Sequence, residues 1–223
     1  MATKNERIRD PERSRVAILD AAEQLFAEQG YDATSLTQVG ATAGVSRGTP
    51  GYFFRSKPEL YQAVLDRSFS EVREAVRTGR ARALASGESA ETILAGAVSD
   101  YFDFLAARPN FVRLIEREAL NGSRLPDSIS PLSAGQEALA AISAELGLDD
   151  ASSGEAAQLL LSIIALCWFP MIHGRTVAPA VGVRLDHPAE LEQRKQHVIG
   201  LVLHGLRGVA AVTSTSTEHS SHD

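Results

Sequence analysis

The sequence predicts an all-α protein: a small N-terminal domain of three helices, carrying a helix-turn-helix, joined to a larger C-terminal helical bundle. Three observations point there. Apolar residues recur at spacings of three and four along most of the chain, with no convincing run at the period of two that a half-buried strand requires. Gly and Pro fall between those periodic segments, where helices stop. Residues 34–60, TSLTQVGATAGVSRGTPGYFFRSKPEL, read as two short helices joined by a tight turn and followed at once by the start of a third.

The elements follow in order. Residues 1–12 are charged and polar and are expected to be a flexible arm. Residues 13–29 form a helix with Ile18, Ala22, Leu25 and Phe26 on one face, stopped by Gly30. Ser35 caps a short helix through Ala43, Gly44-Val45-Ser46 is the turn, and a second short helix follows to about Phe54. Ser56 caps a long helix from Lys57 to about Ala83, with Leu60, Val64, Phe69, Val72 and Val76 along its apolar stripe. Pro58 sits in its first turn, where a missing N–H costs little. Beyond a small-residue connection at 85–89, helices are expected at 90–107, 109–121, 132–146, 154–173 and 187–209. Residues 212–223 are polar and low in complexity and read as a disordered tail. The domains are therefore 1–56, including the arm, then 57–211, then the tail.

Bulk properties narrow the function. Apolar residues make up 44% of 223, enough for a sizeable core, and the net charge is −6. The acidity is uneven: residues 1–80 carry +1 and residues 81–223 carry −7. Between Ala33 and Pro58 no acidic residue occurs, while Arg47, Arg55 and Lys57 do. Such a local balance is a better guide to a nucleic-acid partner than the whole-chain charge. One cysteine, Cys167, excludes an internal disulfide and fits a reducing compartment. The N-terminus lacks the apolar stretch of a secretory signal. The longest apolar run, 159–172, contains Ser162 and Pro170 and reads as too short to span a bilayer. A cytoplasmic protein with no membrane partner is expected.

The segment 34–60 carries the chemistry. Gly44 supplies a left-handed backbone after a helix end, and Gly40 and Ala43 are small enough for the next helix to cross closely. Val39, Val45 and Phe54 point to a core shared with Leu25 and Phe26, which leaves Ser46, Arg47, Thr49 and Tyr52 outward. In a helix-turn-helix, early residues of the second helix face base edges. Arg47 suits a bidentate contact to guanine and Thr49 a thymine methyl. Lys57, at a helix start, suits a phosphate, and Ser35 and Thr37 do so at the earlier one.

This order of elements closely resembles the TetR family of transcriptional regulators. The residues that carry the resemblance are LFAEQGYDATSL (25–36), AGVSRGT (43–49) and YFFRSKPEL (52–60), within roughly residues 13–60. The resemblance implies Tyr52 and Lys57 on phosphates, and Arg47, Thr49 and their neighbours Ser46 and Gly48 at base edges. It implies a homodimer, joined through the last two helices, on a palindromic operator in double-stranded DNA. One departure stands out. Pro50-Gly51 replaces the usual Leu-Tyr, and proline inside a helix removes a hydrogen bond, so the reading helix is expected to be shortened or opened there.

Other chemistries are weaker. Residues 44–48 fit G-x-S-x-G, but a hydrolase elbow needs a strand before the serine, and a helix precedes it here. His197 and His204 are seven apart and His219 and His222 lie in the tail, which is not metal-ligand spacing. No metal, cofactor or enzymatic activity is expected. In the C-terminal part, Tyr101, Phe102, Phe111, Trp168 and Phe169, with Arg113, Asp103 or His173 as polar anchors, are candidates for an apolar ligand pocket. The last helix is apolar along Leu191, Val198, Ile199, Val202, Leu206 and Val209, as a subunit interface requires. The expected function is a dimeric repressor released by a small lipophilic or aromatic effector. The alternatives are a ligand-independent activator, or a helical small-molecule-binding protein or enzyme with a structural N-terminal hairpin.

Overall fold

The computed structural model describes residues 11–121, 131–146 and 153–218, and all the regular structure among them is helical. The helices are α1 (Pro11–Gln29), α2 (Leu36–Thr42), α3 (Thr49–Phe54), α4 (Lys57–Ser86), α5 (Ala90–Ala107), α6 (Pro109–Leu120), α7 (Pro131–Leu146), α8 (Ser153–His173) and α9 (Pro188–Glu218), with a 3-10 turn at Ala178–Val181. The expected arm falls largely outside the described residues, as do His219, His222 and most of the loops expected at 121–131 and 147–154.

Two compact units result: residues 1–70 with 110–130, and residues 71–109 with 131–223. In the first, α1 buries Ile18, Leu19, Ala22, Leu25 and Phe26, and α4 buries Leu60, Tyr61, Val64, Leu65 and Phe69. Phe26 sits edge-on to Tyr61 with ring centres 4.9 Å apart, and Tyr31 packs on the same ring at 5.0 Å. α6 belongs to this core through Phe111, Val112 and Leu114, with Phe111 edge-on to Phe69 at 5.6 Å. Burying a side chain of this size contributes about 2–3 kcal/mol. Polar groups tie the same helices together. Arg67 on α4 reaches Asp20 (2.6 Å) and the buried Glu23 (2.7 Å) on α1.

In the second unit α5 packs on α7, α8 and α9, and α8 packs on α7 and α9. Ile93, Leu94, Val98, Phe102, Leu105, Ile142, Ile163, Cys167, Val198 and Val202 form the core. The buried Lys195 bridges Asp103 (3.0 Å) and Glu192 (2.8 Å). Its hydrogen bond holds the Glu192 carboxyl below, and its own ammonium above, the ordinary range.

Two expectations are corrected. Over 154–173, α8 is long and apolar enough to cross a membrane by length and composition, with mean hydropathy 1.7. The run 159–172 understated it, because residues 154–158 continue the same helix. The segment 212–218, expected to be disordered, continues α9 as far as Glu218. No Gly or Pro follows Gly208 to stop the helix, and extending a formed helix costs little.

Candidate nucleic-acid interface

The helix-turn-helix is built from local signals. Ser35 is the N-cap of α2, and the cap is reciprocal: its hydroxyl accepts from the Gln38 N–H (3.2 Å), and Gln38 Oε1 accepts from the Ser35 N–H (2.8 Å). At the other end Gly44 is left-handed (φ +66°). The Gly44 N–H donates to Ala41 O and the Val45 N–H to Gly40 O, which satisfies these two carbonyls of the last turn. Close crossing of α2 and α3 explains the buried Gly40. A Cβ there would meet Ser46 O at 3.3 Å and Pro50 Cγ at 3.4 Å.

Pro50 resolves differently from the expectation. α3 begins at Thr49 with Gly48 as N-cap, so Pro50 lies in the first turn, where its missing N–H had no intrahelical partner to lose. The helix is short, six residues, because it starts late and not because proline breaks it. Ser46, Arg47 and Gly48 form the exposed turn ahead of it. The Ser46 and Thr49 hydroxyls are 2.6 Å apart, and the Thr49 N–H donates to Ser46 O. Tyr52 is 83% exposed, while Phe54 is buried under Arg15, whose guanidinium lies 5.4 Å from the ring centre. Residues 44–48, the hydrolase-like pattern, follow a helix.

The link from α3 to α4 is tight. Arg55 has φ +55°, and the Ser56 N–H donates to Phe54 O across it, a strained three-residue turn. Ser56 then caps α4 through the Glu59 N–H (3.3 Å).

Ser35, Thr37, Ser46, Arg47 and Gly48 are all exposed, and Thr49 is half-buried. Lys57 is turned inward. Its ammonium donates to Tyr31 O (2.9 Å), Thr34 O (3.0 Å) and Asp32 O (3.3 Å), and it lies 4.4 Å from the centre of the Tyr31 ring. Sequence reasoning missed the residues that frame this surface: Arg67, the buried Thr34, and Arg117, which reaches the α1 backbone from α6. Long-range contacts identify Arg67 and Arg117, while Thr34 also bonds locally to Gly30 O.

The pocket candidates divide between the two units. Phe111 and Arg113 are in the first unit, Phe111 buried and Arg113 exposed. Phe102 is buried in the core of the second. Trp168 is half-buried, and Phe169, 44% exposed, lies 4.7 Å from His173, ring centre to ring centre. Asp103 is engaged by Lys195. Tyr101 alone lines a small hollow between α4 and α5, with Val72, Val76, Gly79, Ala97 and Phe104; burial pushes its hydroxyl above the ordinary tyrosine range.

Residues 18–64 match the family model for bacterial regulatory proteins of the tetR family, and residues 91–202 match that for the tetracyclin repressor-like C-terminal domain. The chain is 40% identical over 55 residues to the transcriptional repressor BepR of Brucella suis, covering 25% of this chain and 26% of BepR. It is 35% identical over 107 residues to the transcriptional activator FasR of Mycolicibacterium smegmatis, covering 48% and 46% respectively. The matches thus span about a quarter and just under half of these relatives' lengths. A putative transcriptional regulator from Streptomyces coelicolor shares the fold, with TM-score 0.64 and 24% identity over 86% of this chain and 97% of that one. With its reading head and half of its length matched by the family's two domains, this chain belongs to the TetR family of bacterial transcriptional regulators.

Proposed function

We propose that this regulator works as a cytoplasmic homodimer and not as an enzyme, reading a palindromic operator with the turn Ser46–Gly48 and the start of α3. The main support is the acid-free surface formed by the exposed Ser46, Arg47, Gly48 and Tyr52 with the half-buried Thr49, framed by a doubly capped α2. Arg47 reads a base edge. Tyr52, Ser35 and Thr37 touch phosphates, joined by the N–H groups at the start of α4. Lys57 contributes to that end of α4, in a role taken up below.

Dimerisation uses α8 and α9. Leu161 (58% exposed) and Phe169 (44%) fall along one stripe of α8, and Leu201 (45%) is exposed on α9. Self-association over a two-fold axis would cover all three. The effector is a small lipophilic or aromatic molecule bound in the second unit; ligand binding there shifts α4, whose first residues begin beside the DNA surface. Such a molecule lowers operator affinity only if it binds the non-reading conformation more tightly.

The test is selection of a duplex from a random library, followed by affinity measurement. Arg47→Ala should weaken binding by about 1–3 kcal/mol and relax specificity at one position of each half-site. Failure of the wild type to select any sequence would refute the reading. Repression is the favoured sign of regulation, as in BepR. Activation is the second reading, favoured by the longer match to FasR, and a reporter carrying the selected site separates them.

A further inference from the structure

The backbone between α1 and α2 is held by two cations from helices distant in sequence. Lys57 opens α4, and its ammonium has three N–H bonds, which meet the carbonyls of Tyr31, Asp32 and Thr34. Arg117, in the last turn of α6, donates from Nε to Ala27 O (2.9 Å) and from Nη2 to Glu28 O (2.8 Å). Those two carbonyls belong to the last turn of α1, where acceptors lack intrahelical partners and a cation is favoured by the helix dipole. Between the two grips Gly30 is left-handed (φ +87°), a Cβ on it would lie 3.5 Å from Arg117 Nη1, and Thr34 Oγ1 donates to Gly30 O (2.8 Å).

We propose that Lys57 and Arg117 are positioning residues for DNA recognition, a two-cation clamp that fixes residues 27–34 and so sets where α2 and the reading turn stand. The inference rests on the DNA-binding reading above and deepens it. It also separates this lysine from a phosphate ligand. An ammonium spent on three carbonyls acts on DNA through the backbone it holds, not as a point charge on the duplex. Both grips lie within one compact unit, so displacing either α4 or α6 would loosen the same eight residues.

Salt dependence distinguishes the two roles. Each phosphate contact contributes about 0.9 to the slope of log affinity against log salt on duplex DNA. The full-length protein, a labelled duplex that the wild type has selected from a random library, and fluorescence anisotropy over a range of salt provide the measurement. Lys57→Met and Arg117→Met are each expected to weaken binding roughly tenfold or more, the scale of losing charge-assisted hydrogen bonds, with the slope unchanged within about 0.3. Lys57→Arg should not rescue, because a planar fork cannot aim three donors at three converging carbonyls. In DNA-free protein, amide exchange over residues 30–36 should quicken in Lys57→Met. Lys57→Gln repeats the comparison should the methionine variant fold poorly. A slope flattened by about 0.9 in Lys57→Met, full binding by Lys57→Arg, or unchanged affinity in Arg117→Met would each overturn the clamp. A wild type that selects no duplex would instead bring down the DNA-binding reading beneath it.

Discussion

Arg67→Met measures how firmly α4 holds α1 beneath the reading surface. Arg67 has two partners, and burial makes them unequal: the Asp20 side chain keeps 64% of its exposure and Glu23 only 8%. Water screens the Asp20 arm, so Asp20→Asn should cost about 0–1 kcal/mol. The Glu23 arm is different. Removing the guanidinium leaves a carboxylate out of water with no cation beside it, which costs roughly 3–5 kcal/mol in comparable pairs. Arg67 keeps 20% exposure and its Nε is buried without a partner, so the pair is imperfect and the lower end, about 3 kcal/mol, is expected. For a chain of this length that is a fall in Tm of roughly 6–12 °C. Thermal and urea unfolding by far-UV circular dichroism provide the assay. Trp168, the single tryptophan, reports separately on the second unit. The double variant Glu23→Leu/Arg67→Met should recover most of the loss, because an apolar replacement removes both desolvation costs. If Arg67→Met melts within about 2 °C of Asp20→Asn, the argument from unequal burial is refuted.

Other perturbations follow from local geometry. Ser35→Ala removes the hydroxyl half of the α2 cap, leaving the residue 35 N–H on Gln38 Oε1, and should cost about 1 kcal/mol in urea unfolding, whereas Ser35→Thr should be close to neutral. Arg55→Gly removes the steric cost of φ +55° and should raise stability by about 1 kcal/mol; a destabilised variant would show that the arginine side chain outweighs the strain. The Cys167 thiol is pushed by burial from 9.0 up to about 12, so it stays protonated and should resist iodoacetamide until the protein unfolds. The folded value lies above the unfolded one, so this contribution is intact below pH 9.0 and fades as pH rises toward about 12. Labelling of folded protein at pH 8 comparable to that in urea would contradict this.

The helix starts at Ser35 and Ser56, and the left-handed Gly44, were legible in the sequence because capping is chemistry between neighbours. What lay beyond reach depended on tertiary contact. Pro50 looked like a break inside a helix because nothing local says where α3 begins. Its start at Thr49 goes with the packing of Pro50 on Gly40. Lys57 read as a surface cation at a helix start, and only the backbone of residues 31–34, more than twenty positions earlier, turns it inward. The aromatic candidates divide between the two units for a related reason. Helical spacing shows which face of α5, α6 or α8 is apolar but not which neighbour covers it, and Phe111 finds Phe69 in the first unit while Phe102 is buried in the second.

These misplacements bear on how specificity arises. With α3 starting at Thr49, the exposed side chains ahead of it belong to a turn, and a turn holds its geometry only as well as its anchors. Pro50, wedged against Gly40, anchors it from one side, and the paired Ser46 and Thr49 hydroxyls brace it from within. On this reading the proline that departs from the family pattern contributes rigidity to the reading element. A substitution that frees it, such as Pro50→Ser, should broaden sequence selectivity before it lowers affinity for random duplex DNA, because base contacts depend on angle more steeply than phosphate contacts do. Library selection with that variant should return a degenerate site at the positions assigned to Arg47. An unchanged site would mean that Gly40 and the cap at Gly44 are sufficient to hold the turn.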